Sequence, residues 1–287
     1  MSEHTDTLQR FMFEHASIRG EIAHVGDVYQ TILQQRPYPP MVKRLLGEAL
    51  VSCLLLAGSI KFEGEISLQF QGDKRLPLLL VQCDHQLQIR GFANYQTEGE
   101  NIDYNAAFLD GRMALTINQY NQTQAYQSVV PIGSLSMGEN LMHYFAQSEQ
   151  VASRVWLAVN DEVAAGMLLQ LMPEQDTQQR EEFWSYAVHM GETMSERELL
   201  TLDNPTILNR LYHETELRLY PARRIHFHCR CSDEKMKQVL TVLGEKDVRQ
   251  LLQEKGHVDV VCDFCSRRYA FDAIDVTLLF RGNAPSR

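Results

Sequence analysis

The chain has 287 residues, 44% of them hydrophobic and 22% charged, and carries a net charge of -10 at pH 7. That length exceeds one ordinary domain and can bury a substantial core, while the composition excludes wholesale disorder. The acidic balance, with a pI near 5.5, counts against a phosphate-tracking surface and so against nucleic acid as the main partner.

The opening MSEHTDTLQR is polar and lacks the apolar stretch of a secretion signal. From Leu8 to about Pro173 the pattern mixes strands and helices. Pro39-Pro40 opens a run in which Val42, Leu45, Leu46, Ala49, Leu50, Cys53, Leu54 and Ala57 recur every three or four residues, which predicts a largely buried helix. The longest apolar stretch, Ala49 to Ile60, is too short to span a bilayer and contains Ser52, Cys53 and Ser59. A cytoplasmic protein with no membrane partner is therefore expected. Strand patterns follow at 65–72, 76–83, 86–95, 112–120 and 125–132, separated by turns such as Gly72-Asp73 and Asp110-Gly111. A helix is expected from Gly138 to Gln147, then a strand pair at 154–160 and 164–173. Consecutive strands with few interposed helices predict an α+β fold around a mostly antiparallel sheet.

After Pro173 the composition shifts. The stretch to Tyr220 holds ten Asp/Glu against four Lys/Arg, and its apolar residues suit short amphipathic helices but are thin for an independent core. Read from composition, it is either a plain solvated connector or a segment that folds only by leaning on its neighbours. From about Arg223 to Phe280 a third unit is expected, with helices at Ser232 to Leu243 and Glu245 to Lys255 and short strands at 225–229 and 257–262. A unit this small cannot rely on its apolar core alone.

That last unit carries four of the six cysteines as two pairs, Cys229-Arg-Cys231 and Cys262-Asp-Phe-Cys265, with 30 residues between them. Two pairs of soft ligands far apart in sequence can close a tetrahedral zinc site. One Zn2+ per chain, held by Cys229, Cys231, Cys262 and Cys265, is expected. In an extended Cys-x-Cys both side chains leave the same side of the backbone, so the pair can share a metal and can also be oxidised together. Zinc keeps sulfur in the thiolate form that oxidants attack, which leaves a purely structural site and a redox switch both open. His226, His228 and His257 are expected to be neighbours rather than ligands. Cys53 and Cys83 lie in apolar segments and are expected to be core residues.

No nucleophile elbow, phosphate-binding glycine loop, dinucleotide fingerprint or His-Glu-x-x-His occurs, since His213-Glu214 lacks the second histidine. Arg90, Ser148 and Glu149 read as salt-bridged surface positions, and no enzyme is expected. A zinc-ribbon nucleic-acid regulator should show a basic stripe, which the charge balance opposes. A thiol oxidoreductase built on Cys262-x-x-Cys265 should sit in a thioredoxin-like unit.

RFMFEHASIRGEI at 10–22, LQIRGFA at 87–93, YFAQSEQ at 144–150, GMLLQLMP at 166–173, LYHE at 211–214, FHCRCS at 227–232 and CDFCSRRYAF at 262–271 together resemble the heat shock protein 33 family of redox-regulated bacterial chaperones. The likeness covers almost the whole chain, and the cysteine pattern is its most diagnostic part. Ser266 departs from it, where the family commonly has glycine and the turn is expected to be strained. The resemblance implies three parts: a chaperone domain at 1–173, a stress-sensitive helical linker at 174–222 and a zinc redox switch at 223–287. It further implies that the reduced, zinc-bound form is inactive, and that oxidants join Cys229 to Cys231 and Cys262 to Cys265 with release of zinc. Unfolding of the linker then exposes apolar surface that holds unfolding clients without ATP, as a homodimer that later passes them to ATP-dependent foldases.

Overall fold

A computed structural model describes residues 6–96, 107–108, 110–133, 136–173 and 178–281. Its contacts divide the chain into two compact units, Met1–His228 and Cys229–Arg287.

The first unit is organised by one helix, α2 (Pro40–Ser59), which follows the short α1 (Asp27–Leu33). Proline suits the first helical position because the amide it lacks has no partner there. Fifteen of the twenty residues of α2 are buried, as a helix apolar on nearly every side requires. Two antiparallel sheets bury it. One has the order β10-β1-β2-β9-β8, built from Leu217–Leu219, Thr7–Phe13, Ile18–Val25, Ala164–Leu171 and Ser153–Val159, with β11 (Arg223–Arg224) also on β1. The other runs β12-β5-β4-β3-β6-β7, from His226–Phe227, Gln88–Asn94, Leu78–Asp84, Gly64–Gln71, Arg112–Gln119 and Tyr126–Pro131. The strand β12 joins β5 in parallel.

The expected strands thus form, but in two sheets rather than one. Alternation along β3, buried at every second residue, marks a strand covered on one face. In contrast, β9 is buried at all eight positions, because α2 and its core lie on one face and a layer of helices on the other. Those helices are α4 (Gln178–Glu192), α5 (Glu196–Thr201) and α6 (Asn204–Tyr212); α3 (Met137–Tyr144) precedes β8 and continues into one π-type turn at Phe145–Glu149, where a plain helix to Gln147 was expected. A capping box at Ser195 and Glu198 starts α5, and Asp203 caps α6 by accepting from the amide of Thr206. The apolar side of these helices meets Phe11, Phe13, Ile22, Met167 and Leu169. The ring of Phe13 makes edge-on contact with Phe183 and Tyr212 at 5.3 and 5.0 Å. Residues 178–212 therefore draw their core from the sheet, as their sparse apolar content demands.

The second unit comprises α7 (Asp233–Leu243), α8 (Glu245–Lys255), the hairpin β13 (Val258–Val261) with β14 (Arg268–Phe271), and α9 (Ala273–Arg281). Its two expected helices appear at their expected places. Residues 223–228, expected to open this unit, are instead strands and loop of the first. Seven side chains form its buried core, and one of them is Cys262. Val242 and Ile274 are 89% and 69% exposed. So few buried groups cannot offset the ordering of residues 229–281.

Candidate metal centre

Cys262 and Cys265 are placed by a tight turn after β13, in which the amide of Ser266 donates to Cys262 O at 2.9 Å and that of Cys262 to Arg267 O at 2.9 Å. Ser266 has φ 54°, the left-handed region that costs a side-chain-bearing residue roughly 1–2 kcal/mol. The strain expected at this departure from glycine is present. Cys229 and Cys231 enter just before Ser232 caps α7 by accepting from the amide of Lys235.

The turn and the extended Cys-x-Cys bring all four sulfurs within 4.8 Å of one another. Cys229 Sγ lies 3.6 Å from Cys262 Sγ, and Cys231 Sγ 3.4 Å from Cys265 Sγ. Sulfurs bound at about 2.3 Å to one tetrahedral metal stand about 3.8 Å apart, so the donor set fits a single ion. Among the described residues no histidine shares the group. His226 and His228 belong to the edge of the second sheet, where their amides donate to Leu87 O and Ile89 O, and His257 sits 3.2 Å from Asp259 on the surface.

Electrostatics point the same way. Burial opposes ionisation at Cys231, yet hydrogen bonds from Tyr269 and the other three cysteines outweigh it and bring this thiol down to about 7. Burial pushes the Cys229 and Cys265 thiols up, and the neighbouring sulfurs add to the rise at Cys265. A thiolate is thus favoured at Cys231 and opposed at Cys229 and Cys265, and a bound cation would let such a pocket hold several negative sulfurs at once. The buried hydroxyl of Tyr269 faces the sulfur of Cys231 and has no other hydrogen-bond partner among the described residues. The Arg267 guanidinium lies 5.1 Å over the Tyr269 ring. Nothing in the spacing of the cysteines announces Tyr269; only its place across the hairpin from Val260 brings it in.

Elsewhere, Cys53 and Cys83 are fully buried, and burial drives both thiols far from ionisation. Arg90 donates to Gln82, Ser148 pairs with Ser128, and Glu149 accepts from the hydroxyl of Tyr144. Among the described residues no helix is long and apolar enough to cross a membrane.

The family model described as Hsp33 protein matches residues 6–272. The chain belongs to the Hsp33 family. Relatives in that family include the 33 kDa chaperonin of Pseudomonas aeruginosa, 40% identical over 285 residues and covering 97% of this chain and 96% of that protein. The 33 kDa chaperonin of Ectopseudomonas mendocina is 38% identical over 291 residues, covering 98% of each. The crystal structure of the 33 kDa chaperonin (heat shock protein 33 homolog) of Thermotoga maritima superposes with a TM-score of 0.81 at 22% identity, over 96% of this chain and 98% of that one. It shares the α+β fold with this chain. Membership of the Hsp33 family supports a chaperone function, and the relatives are named as chaperonins rather than enzymes.

Proposed function

We propose that this protein is an ATP-independent holdase whose activity is kept latent by one zinc ion on Cys229, Cys231, Cys262 and Cys265. The observation that carries this reading is the convergence of four sulfurs inside a unit whose described residues include seven buried core side chains. When bound, zinc keeps the four sulfurs as thiolates and adds binding energy of about 10–16 kcal/mol, as measured for zinc-finger peptides, to the folding of the unit around it.

Oxidation acts on the sulfurs themselves. Two thiols and one hypochlorous acid yield one disulfide, chloride, water and a proton; family likeness assigns the bonds as Cys229 to Cys231 and Cys262 to Cys265. Sulfurs so joined are no longer thiolate ligands, and the C-terminal unit loses the energy that folds it. In this reading the unit that begins at Cys229 is a clamp on the linker at 174–222, and the linker is a lid on the chaperone domain at 1–173. Opening the lid uncovers the apolar face around Phe11, Phe13 and Ile22 and the apolar side of the linker helices, surfaces suited to unfolding client proteins. The cytoplasm, where such clusters are kept reduced until stress, is the fitting compartment. A homodimer as the active form and ATP-dependent foldases as receivers complete the proposal.

The test treats the reduced, zinc-loaded protein with hypochlorite, measures zinc release, maps disulfides by mass spectrometry, and follows light scattering from a thermally unfolding client. Zinc release with suppressed scattering is expected. Unchanged aggregation after complete oxidation would sink the holdase reading.

A further inference from the structure

Beneath the helices at 178–212 lies a buried polar chain that links them to the sheet. The Leu199 carbonyl, in the last turn of α5 where helix carbonyls lack internal partners, lies 2.5 Å from Nε2 of His24. Nδ1 of His24 lies 2.8 Å from Oδ1 of Asn204, the first residue of α6. Nδ2 of Asn204 donates to Oε1 of Gln9 at 3.2 Å, and Nε2 of Gln9 donates to the Tyr220 carbonyl at 2.9 Å. His24, Gln9 and Asn204 are at most 8% exposed, so a mismatched contact among them leaves a buried polar group unsatisfied at a cost.

Both ends of this chain are main-chain carbonyls, which only accept. Starting from Tyr220 O, Gln9 must point its amide nitrogen outward and its oxygen toward Asn204. Asn204 must then point its nitrogen at Gln9 and its oxygen at His24. Nδ1 of His24 must therefore donate, and Nε2 must donate to Leu199 O. A neutral imidazole has one N–H and satisfies only one of these contacts; the imidazolium has two and satisfies both. Turning over either amide moves the mismatch along the chain and does not remove it.

We infer that His24 is an imidazolium whenever residues 199–220 are docked on the sheet, so that release of the helical segment is coupled to the loss of one proton. His24 faces Thr7 and Ala165 across the strands, both uncharged. On its own strand Arg19 and Glu21 point to the opposite face. The charged groups on the elements packed over it are Glu196, Arg197 and Glu198 on α5, and Asp203 and Arg210 at α6. Arg224 stands one strand further out, opposite Thr7. Glu198 is held by Arg210 at 2.6 Å and by its capping box. These charges tune the proton's affinity and leave the count of donors unchanged.

The sign follows by linkage. A docked form that holds a proton the open form has lost is favoured at low pH and weakened as pH rises. Above about 6.5, the ordinary histidine value, the opening constant rises up to tenfold per pH unit until the docked form also gives up its proton. Oxidation and alkalinity would then act on the same segment from two ends. That consequence rests on the proposed holdase mechanism; the proton coupling itself does not.

The test uses the reduced, zinc-loaded full chain. Ring 15N spectra at pH 7, with His24 assigned by difference against His24→Gln, are expected to show two protonated nitrogens. Amide exchange at Leu208, Leu211 and Tyr212, corrected for intrinsic rates, is expected to show the rising opening constant between pH 6.5 and 8.5. One bare ring nitrogen in the docked protein, or a flat opening constant, overturns the inference. Gln9→Met frees Asn204 to turn its amide and accommodate a neutral imidazole, so the pH slope should flatten although His24 is untouched. A slope equal to wild type in that variant also overturns it. Client protection that fails while the proton coupling holds counts against the holdase reading alone.

Discussion

Ser266 pays a conformational cost at φ 54° inside the turn that aims Cys262 and Cys265. Ser266→Gly relieves that strain, against the greater freedom glycine has when unfolded. A net gain of about 1 kcal/mol in the metal-loaded C-terminal unit is expected, read as a thermal midpoint several degrees higher. An unchanged or lower midpoint would mean that the serine side chain contributes more to the turn than its backbone loses. Glu21 makes a different residue-scale case. Burial raises its carboxyl above the ordinary value, and the hydrogen bond from Arg10 at 2.6 Å only partly reverses this. A raised folded value means full stability below about 4.5 and a loss as pH climbs through the folded value, with a slope of at most about 1.4 kcal/mol per unit. Glu21→Gln removes that slope, so its stability relative to wild type should improve across the window and be flat outside it. Urea unfolding followed by tryptophan emission measures this, since Trp156 and Trp184, the two tryptophans of the chain, both report on the first unit.

Between elements, one contact that bears on docking of the helical segment is the approach of α4 to β8. A Cβ on Gly191 would lie 2.7 Å from the ring of Trp156, a half-buried indole packed against the helical layer. Gly191→Ala is therefore expected to cost about 1–3 kcal/mol of docking, in the range found for overpacked cores, while zinc content stays unchanged. Faster amide exchange across 183–212 in the reduced protein checks it, and wild-type protection there would show that the ring moves aside freely. These contacts mark where the sequence stops being legible. The α2 helix could be read because its apolar residues recur at helical spacing after two prolines, and the strands because they alternate. Which strands share a sheet, and that β9 is covered twice, depend on pairings such as β2 with β9 across nearly 150 residues. His24 meets Leu199 and Asn204 across 175 and 180 positions, and a lone histidine in a strand carries no local mark of that. The cysteine quartet was legible because metal chemistry imposes tight local spacing on each pair. Tyr269 was not, since it reaches Cys231 only through the hairpin.

At the scale of the molecule the two units differ in what holds them folded. The first has a core of two sheets about a twenty-residue buried helix, and needs no staple. The second has, among the described residues, seven buried side chains and a sulfur cluster that could hold a metal, so on the proposed zinc clamp its folding energy and its metal affinity would be one quantity. Chelation under reducing conditions should then abolish amide protection across 233–281 and leave tryptophan emission from the first unit unchanged, and returning zinc should restore the protection. Disulfides alter the outcome because they remove the ligands: after oxidation, added zinc should fail to refold the unit until a thiol reductant is supplied. The double variant Cys262→Ser, Cys265→Ser separates clamp from sensor. With two hydroxyls in place of two sulfurs it should lose most of its zinc, show an unprotected C-terminal unit without oxidant, and respond little to hypochlorite. No other group of three or more ligating side chains is clustered among the described residues, so wild-type zinc content with normal oxidative activation in that variant would overturn the clamp.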